Sequence, residues 1–254
     1  MTTTPGAGWV GTVRERLGPG RLLPLGEAAD GAWLAERAAR TVLLRAAGAV
    51  PGVGPGPLRV GLGAAEAGAP ASAAPFPVPP GGLPPGALRI AGEFTARSRR
   101  IGERPLPELA EDVRAALFAA AERDLGLLVE AVDLRVTGLA EDEPDSATAT
   151  PPPGRISSLK AEGDEARNPA AEHSTVEVGA AEDPVAVAAL GVPGVAGLTS
   201  VLGAPVHRSP GALRVELAVA AGHRALDVAR AARTRAAGAA PGATAVTVLV
   251  ADVR

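Results

Sequence analysis

The sequence predicts an α+β fold made of two similar small units, and two observations lead to this prediction. Residues 86–90 read Gly-Ala-Leu-Arg-Ile, and residues 211–215 read Gly-Ala-Leu-Arg-Val. Around each copy, the spacing of apolar residues predicts the same order of elements: helix, strand, strand, helix, strand. We therefore expect two α-β-β-α-β units, each a short sheet covered by helices on one face.

In the first unit the elements are predicted as a helix at 33–47, strands at 58–60 and 87–94, a helix at 107–125 and a strand at 132–136. The second helix carries apolar residues at three- and four-residue steps, begins at Pro107 and ends before Gly126, which is the usual placement of these two residue types. The closing strand alternates Val and Leu with polar residues, so one of its faces is expected to meet a core.

In the second unit the elements are predicted as a helix at 185–190, a strand at 212–219, a helix at 226–237 and a strand at 246–250. A Val-Pro-Gly-Val turn precedes the strands of both units, at 50–53 and 192–195. The stretch 197–206 is the least regular part of this pattern, because it is short and carries Pro205.

These elements divide the chain into an N-terminal extension (1–30), a first unit (31–140) with a Pro-rich insertion at 63–86, an acidic and Pro-rich flexible linker (141–180) and a second unit (181–254). Apolar residues in the extension predict a short helix and a turn that fold back onto the first unit. An interaction arm is the alternative for this segment.

The insertion between the first two strands is rich in proline, with Pro70, Pro75, Pro77, Pro79, Pro80, Pro84 and Pro85. This density favours extended polyproline geometry and excludes a central strand. We interpret the segment as a semi-rigid loop. A docking site for a proline-reading module is the alternative.

Composition narrows the classes of function. The chain has no Cys, which excludes disulfides, thiolate metal ligands and thiol nucleophiles. Its net charge of −3 gives no general attraction to nucleic acid, and aromatic residues make up only 2% of it, so the cores are built from Ala, Val and Leu. We find no targeting signal and no apolar stretch long enough to span a membrane, and we expect a cytoplasmic protein.

The sequence carries no motif that identifies a catalytic, cofactor-binding or metal-ligating residue. Residues 61–66 begin like a dinucleotide-binding turn, but Glu66 stands where the third glycine is needed. The histidines His173, His207 and His223 lack the spacing of a zinc site. We therefore expect a protein that is not an enzyme and holds no cofactor.

Nucleic-acid binding is the alternative function. Residues 194–197 have the Gly-x-x-Gly form with which K-homology domains clamp a nucleotide backbone, although Val195 and Ala196 supply no charge at its centre. Two arginine clusters could meet phosphates, anionic lipids or an acidic segment, and they comprise Arg97, Arg99, Arg100 and Arg104, then Arg224, Arg230, Arg233 and Arg235. Because no aromatic side chains are interleaved with them, a solvated surface is the simpler interpretation.

The order of these features resembles the alkaline shock protein family of bacterial envelope stress response proteins. The resemblance rests on the Val-Pro-Gly-Val turn, the Gly-Ala-Leu-Arg strand, the helix Leu-Asp-Val-Ala-Arg-Ala-Ala at 226–232 and the closing strand. It is best over 185–253 and looser over 32–139, so the chain resembles a tandem of two divergent units.

The resemblance implies a cytoplasmic, non-enzymatic scaffold or interaction protein linked to cell-envelope stress or homeostasis in a bacterium. Some members of that family are held near the membrane by a small integral protein, so the implied partner is a small membrane-anchoring protein and the implied location is the inner membrane face. Self-association through exposed strand edges is also expected. The family supplies no functional residue that can be carried over to this chain.

Overall fold

Two β-sheets and four α-helices form the part of the chain that the computed structural model describes, which is residues 20–63, 75–97, 105–140 and 183–254. In chain order the elements are β1 (Leu22–Pro24), a 3-10 turn (Ala28–Asp30), β2 (Ala32–Ala35), α1 (Glu36–Gly48), β3 (Val53–Leu62), β4 (Leu88–Arg97), α2 (Leu106–Ala119), a π-helical turn (Ala120–Leu125), β5 (Val129–Ala140), α3 (Pro184–Leu190), β6 (Val195–Leu198), β7 (Val206–Ser209), β8 (Ala212–Val219), α4 (Ala225–Ala239) and β9 (Ala245–Val253). The predicted α+β class is confirmed.

The smaller sheet has three strands in the order β3-β4-β5, with β4 antiparallel to β3 and parallel to β5. Its apolar side chains, among them Ile90 and Phe94, are buried beneath α1 and α2, whereas Arg89 and Asp133 lie on the exposed outer face. This alternation follows from the two-residue period of a strand. One face of this sheet is therefore dry and the other is in solvent.

The larger sheet has six strands in the order β1-β2-β9-β8, with β6 and β7 both paired to the far side of β8. All five residues from Val246 to Val250 in β9 are buried. Because successive side chains point to opposite faces, both faces of β9 are covered, and α1 and α4 both contact this strand. Both faces of β9 are thus covered, whereas the sequence predicts that helices cover one face of each sheet.

Similar strand pairing occurs around both copies of the Gly-Ala-Leu-Arg segment. β4 lies between an antiparallel β3 and a parallel β5, and β8 lies between antiparallel β6 and β7 and a parallel β9. That residues 31–140 and 181–254 are repeats of one unit stays a prediction. Their buried apolar side chains belong to one continuous cluster.

The predicted helix at 33–47 starts later in the structure, at Glu36. The residues before it form β2, which pairs with β9 in parallel, Trp33 lying opposite Leu249. The predicted short helix of the N-terminal extension falls on residues 1–19, which lie outside the described residues. The described part of the extension contains β1, which pairs with β2 and so joins the larger sheet.

The part of the Pro-rich insertion that the structure describes runs along the outer edge of β1. The N–H of Leu22 donates to the carbonyl oxygen of Gly81 at 3.1 Å, and the N–H of Leu83 donates to that of Leu22 at 2.8 Å. The indole N–H of Trp33 donates to the carbonyl oxygen of Leu83 at 3.1 Å. The insertion therefore closes this edge of the larger sheet. Residues 64–74 and the predicted linker, 141–180, lie outside the described residues.

Candidate functional site

The arginines predicted as a basic cluster on the second unit hold other parts of the chain against α4. Arg230 binds the carboxylate of Asp30 through two hydrogen bonds, of 2.7 and 2.9 Å. Arg224 donates to the carbonyl oxygen of Glu122 in the π-helical turn at 2.9 Å. The guanidinium of Arg233 lies 4.9 Å from the ring centroid of Phe76, in the Pro-rich insertion.

Three separate segments are thus attached to one helix by three arginines of the predicted cluster. Arg235 also lies on α4 and is exposed, and Arg97 ends β4 and is exposed as well. Arg99, Arg100 and Arg104 lie outside the described residues. The arrangement therefore gives the three bound arginines a role inside the fold.

Asp30 is the most enclosed of these ionic contacts, with 12% of its side chain exposed. Burial alone would raise its pKa, but the hydrogen bonds from Arg230 and from the backbone N–H of Glu27 hold the pKa of Asp30 below its ordinary value. The hydrogen bond from Asp30 correspondingly raises the pKa of Arg230. The pair is therefore ionised in the folded state at neutral pH.

The Gly-x-x-Gly segment is part of a packed strand in the structure. Gly194 has φ +90°, and a Cβ at this position would lie 2.7 Å from atoms of both His223 and Val228. Val195 begins β6, which pairs with β8. Residues 195–197 are thus held in a strand ladder, and the glycine at 194 is required by a close approach of α4.

The turn at 61–63 is occupied by an acidic side chain. The N–H of Gly63 donates to the carbonyl oxygen of Ala87 at 2.8 Å, and a Cβ on Gly63 would meet the carboxylate of Glu130. A pyrophosphate would be repelled by this carboxylate. Residues 64–66 of this motif, which include Glu66, lie outside the described residues.

The histidines are not brought together. His207 in β7 and His223 before α4 are both exposed, and His173 lies outside the described residues. Within the described ranges, no three His, Cys, Asp or Glu side chains are grouped so that they could hold a metal ion.

Glu216 in β8 is a buried carboxylate that sequence analysis missed. It is fully buried and accepts hydrogen bonds from Thr199 Oγ1 at 2.8 Å, Val201 N at 2.5 Å and Leu202 N at 3.0 Å. These bonds supply the partners that a buried charge needs. Glu216 therefore fixes the loop that separates β6 from β7. The one available signal was an acidic residue in a strand whose other residues, apart from Arg214, are apolar.

A cleft of about 350 Å³ follows the joint between the π-helical turn and the start of α4. Its charged lining side chains are Glu27, Glu122, Glu130, Arg224 and Arg230. Both arginines already bind groups of this chain. The cleft therefore coincides with the contacts through which Arg224 and Arg230 hold other segments against α4.

In the part of the chain that the structure describes, three of the four sheet edges are protected against a further strand. The edge of β1 is covered by the insertion. β3 carries Pro55 and Pro57 with a bulge, and Arg21 caps the carbonyl oxygen of Val60 at 2.7 Å. β6 and β7 are only four residues each. Prolines, bulges, covers and short strands are the usual protections of a sheet edge.

The fourth edge, the outer edge of β5, is the least protected. β5 is twelve residues long, contains no proline and pairs only with β4 among the described elements. Val136 is 38% exposed and Leu139 is 60% exposed. Arg114 of α2 donates to the carbonyl oxygen of Val132 at 3.2 Å. β5 thus presents a long edge with exposed apolar side chains near its end.

Charged side chains line the exposed face of β5. Asp133 forms an ion pair with Arg89 of β4, and the hydrogen bond from Arg89 lowers the pKa of Asp133. Two residues further along, Arg135 lies opposite Glu93 of β4 in the strand register. The edge therefore carries a negative charge and a positive charge two residues apart on one face.

No protein-family model matches this chain, and neither does any curated protein or solved structure. None of the described helices is long and apolar enough to cross a membrane.

Proposed function

We propose that this chain is a non-enzymatic scaffold protein that assembles with other polypeptides by strand pairing along the outer edge of β5. The observation that carries the proposal is the contrast between the edges. Three are covered, broken by proline or made of short strands, whereas β5 contains no proline and offers a regular stretch of edge at 131–136, with Val136 exposed at its end and Leu139 exposed just beyond it. Long, open edges of this kind accept an additional strand, with main-chain hydrogen bonds supplying the affinity.

The non-enzymatic part of the proposal is supported by how the charged groups are used. Asp30 and Glu216 are the buried charged side chains of the described residues, and both are bonded to other parts of the chain, Asp30 to Arg230 and Glu216 to Thr199. Groups held in this way act as structural links. The remaining charges on the small sheet lie on its solvent face.

The cell-envelope part of the proposal is supported by the resemblance of residues 185–253 to the alkaline shock proteins. We accordingly propose a location at the inner membrane face of a bacterium, with a small membrane-anchoring protein among the partners. Fractionation of native cells tests this part. We expect the chain to sediment with membranes and to be released by detergent. Recovery in the supernatant alone would contradict the envelope assignment.

The edge itself is tested by two matched substitutions. Val136→Lys introduces a charge at the β5 edge, where an incoming strand would bury it, whereas Val187→Lys introduces the same charge on α3, where Val187 is 53% exposed. In native lysate, we expect wild type and Val187→Lys to elute from a size-exclusion column in an assembly larger than the 25.2 kDa monomer. Val136→Lys is expected to elute as the monomer.

Equal elution of all three proteins, with circular dichroism showing that each is folded, would overturn the assignment of the edge. The experiment is run with and without detergent so that a membrane-bound partner is also captured.

A further inference from the structure

We infer that the outer edge of β5 pairs with the same edge of a second copy of this chain, antiparallel about a two-fold axis through Leu134. The inference rests on the proposed function and names the occupant of that edge. The two small sheets would become one six-stranded sheet in the order β3-β4-β5-β5-β4-β3. A two-fold contact of this kind requires the surface to be complementary to itself.

The charges on β5 are self-complementary in one register only. With Leu134 opposite Leu134 of the second copy, Asp133 faces Arg135 twice, once on each side of the axis. Shifting the strands by two residues one way places Asp133 opposite Asp133, and shifting them two residues the other way places Arg135 opposite Arg135. Like charges directly opposite each other destabilise a strand pair.

A shift by one residue is also disfavoured. Side chains of successive residues lie on opposite faces of a strand, so this shift would set the inward-facing Val132, which is buried, opposite a residue of the solvent face. Side-chain direction and charge together therefore select the register centred on Leu134.

Charges on the neighbouring strand extend the same pattern. Asp133 is already bound to Arg89, and Arg135 lies opposite Glu93 in the register of β4 and β5. Across the two-fold axis Asp133 of one copy, which binds Arg89 diagonally, faces Arg135 of the other copy, which lies opposite Glu93. The signs alternate through these four side chains, so each contact joins opposite charges.

The apolar side chains fit the same register. Val132 comes to lie opposite Val136 of the second copy, and Leu134 opposite itself. Val136, 38% exposed in one copy, would be covered by a valine. The β5–β4 ladder is interrupted near Glu130 and near Thr137, so the regular pairing is confined to 131–136, and the symmetric segment 132–136 centred on Leu134 lies within it.

Arg114 competes with the incoming strand and so limits the affinity of this association. It already donates to the carbonyl oxygen of Val132, and the incoming strand must share or displace that bond. We therefore expect a reversible dimer whose population rises with protein concentration.

Charge reversal tests the register with the purified full chain, measured by sedimentation at several concentrations. Asp133→Arg and Arg135→Asp are each expected to weaken self-association by at least about tenfold, because two opposed pairs per dimer become repulsive. An equimolar mixture of the two variants places opposite charges across the axis again. We expect this mixture to recover the dimer.

A cysteine at the axis gives an independent measurement, since the chain has no Cys. Leu134→Cys places two thiols at the distance of a directly opposed strand pair, about 4.5–5.5 Å between Cα atoms, which a disulfide can bridge. Thr137→Cys is the control, because its two copies would lie about 20 Å apart along the strands. Under mild oxidant, Leu134→Cys should cross-link and Thr137→Cys should not.

A wild-type chain that sediments as a 25.2 kDa monomer at every concentration would overturn the inference. So would a mixture of reversed variants that fails to associate, or equal cross-linking of both cysteine variants. If the purified chain is monomeric while its assembly in lysate still depends on Val136, only the identity of the occupant is wrong. If the lysate assembly is also independent of Val136, the proposed function fails with it.

Discussion

Replacing Asp30 by Asn is expected to weaken the attachment of the N-terminal segment to α4. The change removes the charge that Arg230 binds through two hydrogen bonds and keeps an acceptor for the N–H of Glu27. Hydrogen bonds to charged groups contribute about 1.5–3 kcal/mol each. Because 48% of the Arg230 side chain is exposed, water replaces part of what is lost. We expect the free energy of unfolding to fall by about 2 kcal/mol, which corresponds to roughly 4–8 °C in Tm for a chain of this size.

The pH dependence of this difference follows from the direction of the pKa shift. The pKa of Asp30 is lower in the folded chain than in the unfolded chain, where it is about 3.9. The stabilisation is therefore complete above the unfolded pKa and disappears as pH falls through the folded pKa. The gap between wild type and Asp30→Asn should be constant from about pH 5 to pH 8 and should shrink below about pH 4.

Urea unfolding at several pH values measures this gap, followed by tryptophan fluorescence and circular dichroism. Trp33 is buried in β2, next to the segment that is released. Asp227→Asn is the matched control, since Asp227 is 60% exposed and pairs with Arg224 at the surface; its effect should stay within about 0.5 kcal/mol. Equal stability of Asp30→Asn and wild type at pH 7, or a gap that persists unchanged at pH 3, would refute the reasoning.

Three further substitutions probe other contacts by urea unfolding. Glu216→Gln turns an amide N–H₂ toward a backbone donor, so we expect a loss of about 1–3 kcal/mol and faster amide exchange in 199–205. Leu83→Pro removes the N–H that donates to β1 and should cost about 1 kcal/mol, with faster amide exchange in β1. Gly126→Ala should cost at least about 2 kcal/mol, because φ is +86° and the new Cβ would lie 2.4 Å from the Cβ of Leu226. Gly222→Ala is its control, with φ +78° and open space, and should cost only about 1 kcal/mol; equal losses at both glycines would contradict the clash.

Elements with a clear local period were predictable from the sequence. The strand predicted at 212–219 is β8, Ala212–Val219, and the helix predicted at 226–237 is α4, Ala225–Ala239. The helix predicted at 107–125 is α2 with its π-helical turn, and it ends at Gly126 with φ +86°. Amphipathic periods and end signals are properties of neighbouring residues, so a single sequence carries them.

Features that depend on distant residues were not predictable. The apolar run Ala32–Ala35 has no alternation, since both of its faces are buried. It lies between β1 and β9 in the sheet and leads directly into α1. A short apolar run of this kind cannot be assigned to strand or helix by its period. Asp30 and Arg230 lie 200 positions apart, and nothing in their local sequences indicates that they meet. The candidate edge was predictable as a strand, but its open side appears only once the order of strands is known.

The position of β9 determines when the larger sheet can be completed during synthesis. β9 leaves the ribosome after every other strand of the larger sheet, yet it lies at the centre of that sheet, between β2 and β8. The three strands of the smaller sheet have all been made by residue 140 and can associate early, because their pairings span fewer residues. The buried apolar strand β2 waits without its neighbour while more than half of the chain is translated. During that interval the apolar residues of β2 lack the parallel strand that covers them in the folded chain, and exposed strands of this kind favour aggregation of a nascent chain.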